Sequence, residues 1–352
     1  MKKSLIALAV AGVVSAPAFA ATSNVDVYGV LNMSLNYVDS DVVGSTESTN
    51  VTSTASRIGF KGTEDLGGGL AAIWQIESGF NADEQSGSLS TRNSFVGLKG
   101  GFGTVLMGNH DTPMKLLGRM VDNFGDTLAD SRNILGATSD TGKTAFDMRT
   151  KNTVAYVSPN FSGFTATAAY VADWSGSTSA LDSQNTDAYS INGVYTNGPL
   201  MLGAAYEAHN GATSAPAPGS NSDMWRIVGG FNVAGFKLAA LYETIDGDVA
   251  QDNRNAYGLF ATYNMGAFAL KANYMAAGES DLVGGNDGGD QWTIGADYSL
   301  SKRTVVYGYY VATSNDANAG YGLGAGAGAS DTTVGNLGTD PQAFGLGVRH
   351  AF

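Results

Sequence analysis

Cysteine is absent from this 352-residue chain, proline is limited to 7 residues and histidine to 3. Exported domains often rely on disulfides where the compartment is oxidising. A chain without them needs another source of rigidity, and a closed β-barrel supplies one. After Ala21 no stretch approaches the roughly 20 consecutive apolar residues that a membrane-spanning helix needs. Charged residues are only 14 %, and the 19 Lys and Arg are outnumbered by 32 Asp and Glu. That balance excludes nucleic acid as a partner, because phosphate binding calls for clustered Lys and Arg.

Residues 1–20 read as an export leader. Lys2 and Lys3 form a short positive region, Leu5 to Val14 an apolar stretch too short to span a bilayer, and Ala18-Phe19-Ala20 a small-residue cleavage site. Cleavage before Ala21 shifts the formal charge from -13 to -15 by removing Lys2 and Lys3. The rest, 21–352, is expected to be one barrel domain.

Glycine is abundant (48), as are Tyr (16) and Phe (15), while mean hydropathy is near zero at -0.05. The dominant period is two. Between Val25 and Tyr37, Val25, Val27, Leu31, Met33 and Leu35 alternate with Asp26, Tyr28, Asn32, Ser34 and Asn36. This is a strand with one apolar and one wet face. The pattern returns at Leu70–Glu77, Leu200–Glu207, Phe236–Glu243, Phe268–Tyr274 and Trp292–Tyr298. Tyrosines such as Tyr37, Tyr206, Tyr242 and Tyr298 close the apolar runs, as amphipathic rings do at a membrane–water interface. A β-sandwich predicts strands nearer five or six residues; runs of about eight to twelve suit tilted membrane strands.

Connections alternate in length. Seven short turns, for example Asp65–Gly69, Gly100–Gly103 and Asn232–Gly235, alternate with eight long polar segments, the longest at 110–148. Together they join sixteen strands. Short periplasmic turns and long external loops are the asymmetry of an outer-membrane barrel, and sixteen strands leave an aqueous channel. Phe344, Leu346, Val348, His350 and Phe352 share one face, and Phe352 closes it like an outer-membrane assembly signal.

The chain resembles the Gram-negative general porins of the Neisseria and Bordetella type. The resemblance rests on Ser56-Arg-Ile-Gly-Phe-Lys-Gly-Thr-Glu-Asp-Leu-Gly-Gly-Gly-Leu70, Phe95–Val105, Asn152–Phe164 and Gly345–Phe352. It implies a trimer of separate pores, with the third external loop folded into each lumen. It also implies outer-membrane lipid, lipopolysaccharide and the barrel-assembly machinery as partners, passage of ions and small hydrophilic solutes, and no cofactor.

Strand parity places side chains. If Ile58, Phe60 and Leu66 face lipid, Arg57, Lys61 and Thr63 face the lumen. If Asn93, Phe95 and Gly97 face out, Arg92 faces in. If Val154 and Tyr156 face out, Arg149 and Lys151 face in. A charge on the lipid face costs about 2–4 kcal/mol at midplane, so these five form a candidate basic wall. Four of them, Arg57, Lys61, Arg92 and Arg149, also sit where the family's basic cluster sits. The long segment carries Asp122, Asp126 and Asp130, which the resemblance sets opposite that wall. Val121–Asp126 departs from the Pro-Glu-Phe-Gly that many members have there. A basic narrowest point gives an expectation of weak anion preference.

Two rival classes compete with this reading. An enzyme needs an activated nucleophile or an acid–base pair, and no serine motif accompanies His110, His209 or His350. A substrate-specific channel or surface receptor of the same fold would use the loops. Gly320–Ala329 reads as a flexible loop tip, and Asn286–Asp290 lacks the ligand count of a calcium loop.

Overall fold

The computed structural model describes residues 24–42, 44, 47–84, 90–136, 146–173, 186–212, 220–248, 253–281, 284–324 and 336–352. The expected leader over 1–20 lies outside the described residues, as do 325–329 of the Gly-Ala tract and parts of the external segments 173–186 and 209–222. Among the described residues no helix is long and apolar enough to cross a membrane.

The strands are β1 (Asn24–Asp39), β2 (Ser48–Ser53), β3 (Arg57–Gly67), β4 (Leu70–Gly79), β5 (Ser90–Thr91), β6 (Ser94–Gly100), β7 (Gly103–Asp111), β8 (Arg149–Val157) and β9 (Phe164–Val171). They continue as β10 (Ala188–Asn197), β11 (Leu200–Ala212), β12 (Ser220–Val233), β13 (Phe236–Gly247), β14 (Arg254–Met265), β15 (Phe268–Ala277), β16 (Gly289–Ser299), β17 (Thr304–Asn315) and β18 (Gln342–Ala351). Every pairing is antiparallel between neighbours in sequence, and β1 pairs with β18 to close the sheet. The β2–β3 and β5–β6 segments are each one barrel strand interrupted by a bulge, so the eighteen segments make sixteen staves.

Alternation decides which side each residue faces. Val25, Ile76, Ile227, Ile294 and Leu346 are each more than half exposed and form part of an apolar outer belt. Asn32, Ser34 and Asn36, on the other face of β1, are buried. The interior of this barrel wall is covered by protein, not only by water. Gly29 shows how tight the outer face is at the seam. It exchanges two backbone hydrogen bonds of 3.1 Å with Phe352, and a Cβ at Gly29 would lie 2.3 Å from the Phe352 ring.

The covering element is the chain between β7 and β8. It enters as α1 (Pro113–Arg119), whose Thr112 N-cap accepts from the Lys115 N–H and whose first turn holds Pro113. It continues through a 3₁₀ turn at Ser131–Asn133. Met114, Leu117, Val121, Ile134 and Leu135 pack on Val228, Leu241 and Phe260 of the wall, while Phe124, Leu128 and Ala129 pack on Tyr309 and Val311. The third long segment is therefore folded into the barrel. Two short helical pieces stand where the period-two reading left an irregular loop.

Three bulges lie at the level of this loop. Met33 and Val30 of β1 face Ser53 and Arg57, so three residues oppose two. Ser78 and Gln75 face Thr91 and Phe95, again with one residue extra. Gly108 and His110 face Thr153 and Thr150, with Lys151 and Asn152 opposing Asn109 alone. A bulge re-aims side chains and breaks the period of two, which explains two departures from parity. Phe95 faces inward and packs beside Leu106 and Ala155, while Val96 and Leu98 are exposed outside. Lys151 sits in a bulge beside Asn152 (φ 55°), so parity counted from Val154 does not carry to it.

Candidate functional site

Each of the arginines Arg57, Arg92 and Arg149 flanks one of these bulges and reaches the lumen. They meet in a space of about 380 Å³ between the wall and the loop, room for roughly a dozen waters at about 30 Å³ each. Arg92 Nε lies 2.6 Å from Glu77 Oε1, and the Tyr28 hydroxyl donates to the other oxygen at 2.9 Å. Arg149 Nη2 lies 3.1 Å from Asp111 Oδ1, while its Nε donates to Asn93 Oδ1 at 2.7 Å. Arg57 donates to the Ala55 carbonyl at 2.9 Å and reaches Asp126 at 3.3 Å.

The loop side of this space is not simply acidic. Lys115, Arg119 and Arg132 line it with Asp126. Lys115 pairs with Asp111 at 2.9 Å. Arg119 holds Asp126 at 2.8 Å and Asp130 at 2.9 Å, and Arg132 holds Asp130 at 2.8 Å. The lining thus carries six cationic side chains and the carboxylates Glu77, Asp111 and Asp126, an excess of three positive charges. Asp130 lies buried behind Arg119 and Arg132, and Asp122 lies 3.6 Å from Arg119; the two lower the local excess to one when both are ionised.

The five basic residues expected from parity divide into three groups. Arg57, Arg92 and Arg149 come together. Lys61 lies further along β3, with its Nζ 5.3 Å from the Tyr28 ring and Asp26 opposite it in register. Lys151 is exposed and does not line the space. Of the three expected acids, Asp126 lines the space while Asp130 and Asp122 have fully buried side chains. A wall of cations facing a bare acidic loop is therefore corrected to a cation-rich space in which every lining carboxylate is paired. Sequence reasoning missed Arg119 and Arg132 because only the acids of that segment were counted, and it missed Glu77 because its strand was read for periodicity alone.

Asp122 differs from its neighbours. Burial, and then the nearby Asp130 carboxylate, push its pKa up to about 6 although it accepts from the Ser131 and Phe124 N–H groups. Asp126 and Asp130 are held below the ordinary carboxylate range: burial works against ionisation, but Arg119 and Arg57 win at the first and Arg132 and Arg119 at the second. A raised value means that the loop's packing favours the protonated acid, an advantage lost as pH rises through about 6. Acidification from about pH 7 to about pH 5 should then remove one negative charge beside Arg119. The expected result is a rise in the anion-to-cation permeability ratio over that interval, absent in Asp122→Asn. An identical pH profile for the variant would reject the assignment.

The loop is fastened by one buried arginine that the sequence did not single out. Arg226, on β12, donates from Nη1 and Nη2 to both oxygens of Asp147 at 2.6 and 2.9 Å. It also donates to the Met114 carbonyl at 3.1 Å and to Glu243 Oε2 from Nε and Nη2 at 2.9 and 2.6 Å. Glu243 Oε1 in turn accepts the Gly136 N–H at 2.6 Å. All five guanidinium donors are used; two points of the loop, Met114 and Asp147, converge on Arg226, and a third, Gly136, on its partner Glu243. Next to Asp147, Phe146 stacks on His209 at 4.5 Å, and His209 Nε2 lies 2.9 Å from Glu207. His209 is thus buried in the wall, on β11.

A sequence profile described as Gram-negative porin matches residues 7–319. Outer membrane porin protein 32 of Delftia acidovorans is 31 % identical over 369 aligned positions that cover all of both chains. Among solved structures, the anion-selective porin from Comamonas acidovorans superposes with a TM-score of 0.80 at 25 % identity, covering 94 % of this chain and 100 % of its own. OmpT of Vibrio cholerae in its trimer form superposes at 0.69 and 18 % identity, over 94 % and 99 % of the two chains.

Proposed function

The chain belongs to the Gram-negative porin family, an outer-membrane channel for passive diffusion, and from that premise we propose a channel with a modest preference for anions, set by Arg57, Arg92 and Arg149. The observation that carries the selectivity is the excess of cationic side chains in the 380 Å³ space. The net charge of -13 and the acidic external loops argue the other way. Screening decides between them: charges more than about 8–10 Å from the ion path are largely hidden at physiological salt. The likeness to the anion-selective porin from Comamonas acidovorans adds support. Reversal potentials of the refolded protein in a planar bilayer across a salt gradient test the reading. An anion-signed value is expected, and a cation-signed value would overturn it.

Lys61 acts on the same ions further along the lumen. Asp122, Asp126 and Asp130 position the loop arginines more than they attract cations. No catalytic role is proposed. His110 is engaged with the Asp111 carbonyl at 2.8 Å, His209 with Glu207, and His350 with Thr304 at 2.9 Å on the outer rim. The assembly is proposed as a homotrimer set among lipid and lipopolysaccharide, after removal of residues 1–20 and delivery by the barrel-assembly machinery. Phe352 is the recognition point for delivery. Phe352→Ser should lower the amount inserted in outer membranes several-fold while leaving leader removal intact; unchanged insertion would reject that role.

A further inference from the structure

The charges of this channel are sorted along its axis. At the external end, Asp41, Asp248, Glu279, Asp281, Asp316 and Asp340 are exposed on or beside the long connections. Neutral donors meet several of them: the Asn221 N–H on Asp248, the Asn253 amide on Asp281, the Asp340 N–H on Asp41. Hydrogen bonds of this kind leave the negative charge in place. Arg254 is the one basic residue at that end among the described residues, and it donates to the Tyr321 hydroxyl.

The other end is reversed. Lys61, Lys99, Lys237, Lys271 and Arg349 occupy the lumen side of their strands toward the short turns, and Lys237, Lys271 and Arg349 border spaces beyond the loop. Among the described residues the strand acids on the lumen side at this level are Asp26 and Asp297, the latter 2.7 Å from Lys271, while Asp122 and Asp126 of the loop, with Arg119 between them, border the same spaces from above. In the turns, Lys302 and Arg303 are offset by Glu64 and Asp65. With the cation-rich constriction between, the path runs from a negative mouth to a positive floor.

We propose that this sorting makes the channel an ionic rectifier, conducting better when the external side is positive. The reason is counter-ion supply. A negative mouth concentrates cations and a positive floor concentrates anions, within about a Debye length of the walls. With the outside positive, cations move inward from the end that holds them and anions move outward from theirs. Both carriers accumulate at the junction, and conductance rises. With the outside negative, both are drawn away from the junction and it is depleted. The inference needs an open pore but not a particular sign of overall selectivity.

The test is the current–voltage curve of single insertions of known orientation. The chain lacks cysteine, so Lys302→Cys with a bulky maleimide in one chamber reports which way each channel faces. At about 0.1 M KCl the current should be larger by a factor of about two with the external chamber positive, falling toward unity at about 1 M as screening shortens. Asp248→Asn with Asp316→Asn and Asp340→Asn should reduce the ratio, and so should Lys237→Gln with Arg349→Gln, because both ends are required. A symmetric curve at low salt, a reversed sense, or a ratio indifferent to both sets overturns the inference, whatever the reversal potential. Absence of openings would overturn this inference together with the diffusion reading, whereas openings with a symmetric curve reject this inference alone.

Discussion

Arg226→Met is expected to give a noisy channel with several conductance levels in place of one steady level. The variant removes the partner of two buried carboxylates, Asp147 and Glu243, and the donor to the Met114 carbonyl. Breaking a buried ion pair from one side costs about 3–5 kcal/mol, because the remaining charge stays buried without its counterpart. That cost falls on the docking of the loop, since the strand pairing of β12 with β11 and β13 uses backbone groups. The barrel should therefore remain closed while α1 and the returning segment lose their common anchor. Single-channel recording separates the two. A second variant, Arg226→Met with Asp147→Leu and Glu243→Leu, removes all three charges and should recover much of the steady level, because apolar replacement of a buried ion pair is often neutral. A quiet single variant with unchanged conductance would show that the arginine does not hold the loop.

The second large effect concerns selectivity. Arg92→Ala with Arg149→Ala takes two of six cationic side chains from the constriction and frees Glu77, while Asp111 keeps Lys115. One unit charge about 8 Å from the ion path is worth about 2 kcal/mol at an effective dielectric of about 20, and about 1 kcal/mol after screening. That is about fivefold per charge in the occupancy of either ion, in opposite senses for anions and cations, and so at least about 25-fold in the permeability ratio for the pair. The reversal potential should swing to the cation side. Arg57→Ala alone should do less, because Asp126 keeps its 2.8 Å contact with Arg119. Equal shifts from all three arginines would mean that pairing at the site does not matter.

The architecture was legible in the sequence because two signals recur along the whole chain: the period of two and the alternation of short and long connections. Each repeat reports the same physical constraint, an apolar belt outside and tight turns at one rim. The site was legible only where that period survives. Arg57 lines the lumen where parity expects it, whereas Arg149 lies across the Lys151–Asn152 bulge from Val154, so the parity counted from Val154 does not reach it and the bulge itself brings it to the space. Arg92 was placed correctly for a wrong reason, since Phe95 faces in and a bulge returns the arginine to the lumen. Lys151 falls in the same bulge that Arg149 lies beside, exposed and outside the lining of the space. A bulge leaves no composition signature comparable to a turn's glycines. Loop docking was also invisible: Arg226 lies in an ordinary alternating strand, and its partners Asp147 and Glu243 lie 79 and 17 residues away. No local spacing records such a convergence.

The seam between β1 and β18 sets a kinetic condition on this barrel. Val30 pairs with Ala351 and Asp39 with Gln342, so residues some three hundred positions apart must meet before the sheet has no edges. Until then every intermediate presents two rows of unsatisfied backbone groups, the template on which strands of other chains add. Pairings of such separation form slowly, since the chain's entropy must be surrendered before they reward it. A collapsed core cannot shelter the intermediate, because most large apolar side chains of this wall point outward. The barrel is therefore a protein whose stability is an all-or-none property of circular closure, and whose hazard lies in the interval before the circle is complete.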